Sequence, residues 1–168
     1  MKAIVEAGKP LVLFSIRPKY CLMFTDGTKR VEIRKTRPKI EPPFTGLIYC
    51  TKDYSLGEWF LPGAEFCDEP LQGKVIGEFT CNRIDEVYQC NSGWVQENAC
   101  LSRDEFFDYL GIPRDTHLGY DKKAYAFHVS DLTIYDKPKD LRKFGKYGFD
   151  HAVPLRRPPQ SWCYAERL

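Results

Sequence analysis

The sequence predicts a small α+β fold, a mixed β-barrel carrying a few short helices. Three observations lead there. Short runs of β-branched and aromatic residues recur along the chain, separated by Gly, Pro and Asp turns. Helical periodicity is confined to brief stretches. The chain has 168 residues, 43% hydrophobic and 14% aromatic, which supplies one sizeable core and therefore one domain over residues 1–168. Closing such a sheet into a barrel removes its exposed edges, and the C-terminal tail is expected to close on the barrel.

The elements follow in order. Leu11 to Phe14 is an apolar run suited to a buried strand, ended by Ser15-Ile16-Arg17-Pro18. Pro18 fits a first helical turn, and Tyr20, Met23 and Phe24 then form one apolar face. Asp26-Gly27 ends that helix. From Lys29 to Lys35 the residues alternate, placing Val31 and Ile33 toward a core and Arg30, Glu32 and Arg34 on the opposite face. Pro38, Pro42 and Pro43 mark an extended connection, and Gly46 to Thr51 resumes strand character. A further strand runs from Lys74 to about Ile84. Ser102-Arg103-Asp104-Glu105 is a capping box leading into Phe106, Phe107, Tyr109 and Leu110, with Gly111 and Pro113 as stops. Ala124 to Val129 and Leu132 to Tyr135 read as late strands, and Pro154, Pro158 and Pro159 disfavour regular structure in the tail. The short apolar piece Trp59 to Pro62 belongs to a strand or loop.

Charge is unevenly distributed. Ser15 to Lys39 holds eight Lys and Arg against Asp26 and Glu32, a local charge of +6, which leaves −4 for the remainder. Residues 40–136 carry 7 basic and 17 acidic side chains, and Lys137 to Arg157 is basic again. If the two basic segments meet, they make one positive face on an acidic body, the footprint of a phosphate-bearing partner. The plainer alternative is a solvated charge run.

No apolar run approaches the length that crosses a bilayer, and MKAIVEAGKP at the amino terminus lacks the apolar stretch of a secretion signal. A cytoplasmic location, with no membrane partner, is the expectation. Seven cysteines without a Cys-x-x-Cys pair, and His117, His128 and His151 far apart, predict reduced thiols and neither a metal nor a cofactor. Most of the cysteines read as small buried hydrophobes; Cys163 has the unusual neighbours Trp162 and Tyr164. Nucleophile elbow, P-loop and dinucleotide fingerprints are absent from the sequence.

Several of these pieces resemble the ASCH domains, a branch of the PUA-like superfamily, and particularly the forms carried by phages and prophages. The residues concerned are Ser15 to Pro18, Asp26 to Lys35, Gly46 to Thr51, Ala124 to Leu132, and Pro158 to Tyr164. The resemblance implies a barrel whose short helix and loops border a cleft lined by the Lys/Arg-rich strand and used on RNA or a modified nucleotide. Ser15, Arg17, Lys19, Lys29, Arg30, Arg34 and Lys35 are its candidate ligand-binding residues. Arg17, Lys19 and the free N–H groups of the first helix would hold a phosphate. Trp162 and Tyr164 would stack on an extruded base.

Some ASCH proteins resemble amidohydrolases of N4-acetylcytidine, with a Lys after the Gly turn, a Thr further along that strand and a later Glu. Here those positions hold Lys29, Glu32 and Glu97. A carboxylate in place of the hydroxyl serves as a base or as a partner for Lys29 or Arg34. The competing roles are structural: Arg17 satisfying loop carbonyls, Trp162 plugging a barrel end, Glu97 as a solvated acid, and His128 as a hydrogen-bonded structural residue. Three functions thus stand side by side, namely an RNA or nucleotide binder, a nucleoside amidohydrolase, and an accessory factor meeting an acidic protein.

Overall fold

The computed structural model describes residues 8–55, 70–113 and 121–168. Trp59 to Pro62, Cys67 and His117 lie outside them, as does the side chain of Cys90. The elements are β1 (Leu11–Ile16), α1 (Pro18–Thr25), β2 (Val31–Arg34), β3 (Phe44–Cys50), β4 (Lys74–Tyr88), α2 (Gly93–Ala99), α3 (Arg103–Leu110), β5 (Lys123–Asp140), β6 (Phe144–Lys146) and β7 (Trp162–Arg167). They form a mixed seven-stranded sheet in the order β2, β5, β4, β3, β1, β7, β6. β1 and β3 run parallel, joined by the crossover that carries α1 and β2, and the other neighbours are antiparallel.

The expected closed barrel needs correction. Strands β2 and β6 are edges without a shared backbone ladder. The sheet nevertheless curls, because β4 and β5 are long and their register shifts three times, and such irregularities bend and twist a strand. Side chains span the gap: Arg34 at the end of β2 donates to the Ser15 carbonyl on β1 at 2.7 Å, and the Trp162 indole on β7 donates to Thr36 at 3.0 Å.

Inside the curl, Phe14, Phe24, Phe79 and Phe127 make the main core. Phe14 meets Phe127 edge to face, with centroids 5.1 Å apart, and packs beside Phe79 at 5.8 Å. Gly46 lies opposite Phe79 in the β3–β4 ladder. A Cβ there would overlap the Phe79 ring, so that ring can lie across the strand only over a glycine. A second core fills the outer face, where Val31 and Ile33 pack with Val95, Ala99, Phe106 and Leu110 of α2 and α3. A third, around Leu13, Leu47, Phe144 and Leu155, seats β6 and the tail.

On α1 the buried residues are Pro18, Cys21 and Phe24, so Cys21 rather than Met23 completes the inner face. The capping box of α3 is formed: the Ser102 hydroxyl accepts from the Glu105 N–H at 3.1 Å, and the Ser102 N–H donates to Glu105 Oε2 at 2.8 Å. Gly111 ends that helix at φ +66, a left-handed cap. The two late strands are one strand, β5, with Asp131 at φ +47 within it. Residues 147–161, which hold Pro154, Pro158 and Pro159, form no helix or strand beyond the isolated Gly145–Pro154 bridge, and β7 then pairs with both β1 and β6.

No helix among the described residues is long and apolar enough to cross a membrane. Cys21, Cys50, Cys81, Cys100 and Cys163 are free thiols. Burial pushes the Cys81 thiol up to about 12 and raises that of Cys163.

Candidate functional site

The site begins with the turn after α1. Asp26 accepts from the Thr28 N–H at 2.8 Å and from its hydroxyl at 2.6 Å, and Gly27 adopts φ +78. These hydrogen bonds hold the Asp26 carboxyl below its ordinary range. The turn sends Lys29 inward, where its backbone N–H donates to the Met23 carbonyl at 2.8 Å. β2 then alternates as expected, Val31 and Ile33 toward the helical core and Glu32 and Arg34 toward the other face. That other face is not solvent. Glu32 and Arg34 are 6% and 8% exposed, and Lys29 4%.

The three charges form one row. Lys29 Nζ lies 3.2 Å from Glu32 Oε2, and Arg34 Nη2 lies 2.8 Å from Glu32 Oε1. Lys29 also donates to the Ala99 carbonyl at 3.0 Å and sits 5.1 Å from the Tyr20 ring centroid and 5.4 Å from that of Phe24. The Arg34 guanidinium lies 5.6 Å from the Phe14 centroid, and its Nη1 is 3.5 Å from the Ser161 hydroxyl. Ring faces and carbonyls thus supply the negative potential that water would otherwise give two buried cations.

This row lines a cavity of about 570 Å³ whose wall includes Ser15, Arg17, Tyr20, Thr51, Tyr109 and Gln160. That volume is in the usual range for small-molecule sites. Ser15 is fixed by its hydroxyl, which donates to the Pro159 carbonyl at 2.6 Å, and by its N–H to Ser161 at 3.0 Å. Burial raises the Tyr20 and Tyr109 phenols above their ordinary value. Glu105 and Asp108 of α3 add acids to the same wall.

The basic segment does not make one unbroken track. Lys29 and Arg34 are withdrawn into the ion-paired row. Lys19 is paired with Glu105 at 3.0 Å, and the hydrogen bond to that carboxylate raises its ammonium. Lys35 is exposed and stands 5.1 Å from the Tyr109 centroid. Arg30 is exposed and tied through its backbone to Asn98 and Val129. Arg17 is exposed at the cavity itself.

Glu97 is exposed on α2 and is not among the lining residues. Trp162 and Tyr164 are not among them either. They meet edge to face at 5.5 Å, pack on the main core, and pin the 36–39 connection, Tyr164 accepting from the Lys39 N–H at 2.8 Å. Trp94 stacks on His128 at 5.5 Å, and His128 Nε2 is 2.7 Å from Asp85 Oδ2. No group of three or more His, Cys, Asp or Glu among the described residues is arranged to hold a metal ion.

Tyr109, Glu105, Asp108, Thr51 and Gln160 were not singled out from the sequence as site residues. They reach the cavity from α3, from the end of β3 and from the tail, which only the fold brings together. Locally, Tyr109 lies between the Phe106, Phe107 and Leu110 positions of the α3 core stripe, Glu105 belongs to the capping box, and Thr51 and Gln160 fall within the Gly46–Thr51 and Pro158–Tyr164 pieces.

No protein-family model matches the chain. Among curated proteins it is 30% identical over 156 residues to the ATP synthase subunit alpha of Ureaplasma parvum serovar 3. The match covers 89% of this chain, which spans only 16% of the length of that relative. Among solved structures, the ASCH protein of Zymomonas mobilis is 21% identical with a TM-score of 0.54, covering 92% of this chain and 86% of that one. A single-substitution mutant of the same protein gives a TM-score of 0.59 at 21% identity, over 92% and 87% of the two chains. The fold of this chain is therefore that of the ASCH proteins.

Proposed function

We propose that the cavity receives a nucleobase, as a free nucleoside or as an extruded residue of a single-stranded RNA. The donor and acceptor inventory of the buried row carries this reading. A lysine ammonium has three N–H donors; those of Lys29 serve Ala99 and Glu32, leaving one. Arg34 Nη2 spends both donors on Ser15 and Glu32, and Nη1 reaches only Ser161. Each Glu32 oxygen accepts one cation and keeps a lone pair. A ligand that complements the row therefore offers acceptors to Lys29 and Arg34 and a donor to Glu32, side by side. The edge of a cytosine, with its carbonyl and ring nitrogen beside an exocyclic N–H, has that pattern.

Tyr20 and Tyr109 give the base aromatic surface, and exposed Arg17 stands where a phosphate would meet the mouth. The fold shared with ASCH proteins agrees with a nucleic-acid ligand without specifying it. Calorimetric titration with cytidine and with N4-acetylcytidine tests the reading. Wild type is expected to bind, and Lys29→Met to bind at least tenfold more weakly while remaining folded. Equal affinity in the two proteins, or no binding of either nucleoside, would refute it.

One observation favours a second reading, amide hydrolysis. The Lys29 ammonium and the Glu32 carboxylate are 3.2 Å apart in the same cavity, an acid and base pair able to activate water and steady a developing oxyanion. Release of acetate from N4-acetylcytidine, lost in Lys29→Met, would establish turnover. Binding without acetate release leaves the protein a reader of the base.

A further inference from the structure

We infer that the 146–157 segment is a second ligand site, a groove for the phosphodiester backbone of the RNA strand whose base enters the cavity. This rests on the base-binding reading of the cavity. The groove measures about 610 Å³ and is lined by Lys146, His151, Val153, Leu155, Arg156 and Arg157, among others. Its titratable lining groups are three cations and an imidazole, all exposed. Lys146, Arg156 and Arg157 have no salt-bridge partner among the described residues, whereas Arg83, Arg142 and Arg167, equally basic surface residues, are each within 3.0 Å of a carboxylate. Three unneutralised cations around one depression repel one another, and an anion relieves that repulsion.

The groove is held by backbone rather than by mobile side chains. The Lys146 N–H donates to the Val153 carbonyl and the Leu155 N–H to the Phe144 carbonyl, both at 2.8 Å, with Gly145 bridging to Pro154. Leu155 is buried in the third core, which fixes where Arg156 and Arg157 leave the surface.

Position sets the class of ligand. Three residues beyond Arg157, Gln160 lines the cavity, and Pro159 and Ser161 are hydrogen-bonded to Ser15 on its wall. Three residues span at most about 11 Å, so cavity mouth and groove adjoin along one stretch of chain. A ligand with its base in the cavity and further phosphates attached would lay them along Arg157 and Arg156. A mononucleoside would leave the groove empty.

The test compares cytidine with a single-stranded oligoribonucleotide of about ten nucleotides, on wild type and on the Arg156→Ala, Arg157→Ala double variant. Each phosphate contact on a single strand contributes about 0.7 to the slope of log affinity against log salt. The double variant is expected to lower the oligonucleotide slope by about 1.4 and its affinity by about 25-fold at ~0.1 M salt, with cytidine affinity unchanged. The Arg156→Lys, Arg157→Lys variant, which keeps the charges, restores both. Unchanged oligonucleotide affinity and slope in the alanine variant would overturn the inference. Oligonucleotide binding that depends on the arginines, with no cytidine binding at all, would uphold the groove and reject the cavity reading. Polyglutamate displacing the oligonucleotide at equal concentration would overturn the assignment to RNA in favour of an acidic protein.

Discussion

Two rows of ionisable side chains on neighbouring strands sit in different surroundings. In Lys29–Glu32–Arg34 the side chains are 3%, 8% and 10% exposed. In Arg83–Asp85–His128 they are 63%, 34% and 21% exposed, with Asp85 3.0 Å from the arginine and 2.7 Å from the imidazole. Each is a carboxylate bracketed by two nitrogen-bearing side chains, and both touch β5 or its partners. Water reaches the second row at Arg83 and partly at Asp85, so its ion pair contributes less to stability. The first has been taken out of water at a desolvation cost that only its complete set of partners offsets. A row kept under those conditions, and facing a cavity, is better explained by a ligand than by stability.

The largest expected contrast is between the two carboxylates. Glu32→Ala leaves two cations buried without a counter-charge and should destabilise the protein by about 3–5 kcal/mol, read from the urea midpoint. Asp85→Ala should cost about 0–1 kcal/mol. Similar losses at both sites would erase the distinction. A smaller effect is expected from Lys29→Met, because Glu32 keeps Arg34. It should cost about 1.5–3 kcal/mol, the value of hydrogen bonds to charged groups, and the variant should stay folded.

Glu78 lies between the extremes, half-buried between Tyr135 and Arg167, whose Nη2 is 2.7 Å away. Desolvation raises its pKa, yet the hydrogen bonds from Tyr135 and Arg167 outweigh that and hold the carboxyl below its ordinary 4.5. A lowered folded value stabilises the protein above the unfolded value, and that contribution is lost as pH falls through the folded one. Thermal melts from about pH 6 to pH 3 should therefore show a shallower decline for Glu78→Gln than for wild type. Parallel curves would remove Glu78 from the acid response. The smallest effect is expected from Trp94→Ala, which uncovers one face of His128 and should leave nucleoside affinity unchanged; a tenfold loss there would extend the site beyond the cavity.

Much of this was legible in the chain because the signals were local. The Ser102–Glu105 capping box, the Asp26–Gly27 turn and the alternation of β2 are each written in a handful of adjacent residues. Two local patterns were not enough by themselves. Alternation in β2 separated Val31 and Ile33 from Glu32 and Arg34 correctly, but it carries no information on whether the second face meets water, which is decided by α1, β1 and the 159–161 segment. Sequence alone leaves Trp162 equally a stacking surface beside the cleft and a plug for the barrel end. The register of β7 against β1 places Trp162 and Tyr164 opposite Phe14 and Val12, on the core side. The α2 helix begins at a glycine with no side-chain cap and left no signature to read. The cavity wall drawn from α3 and the tail depends on contacts between segments far apart in sequence, which spacing alone does not express.

The central claim, that the buried row reads a base, is tested most directly by mapping backbone amide shifts as cytidine is titrated into the isotope-labelled protein. Saturable shifts are predicted at Ser15, Tyr20, Glu32, Arg34, Thr51 and Tyr109, with the amides of Lys146, Arg156 and Arg157 unmoved. Shifts confined to the 146–157 segment, or to the Arg83–Asp85–His128 row, with the cavity amides unmoved, would contradict the account.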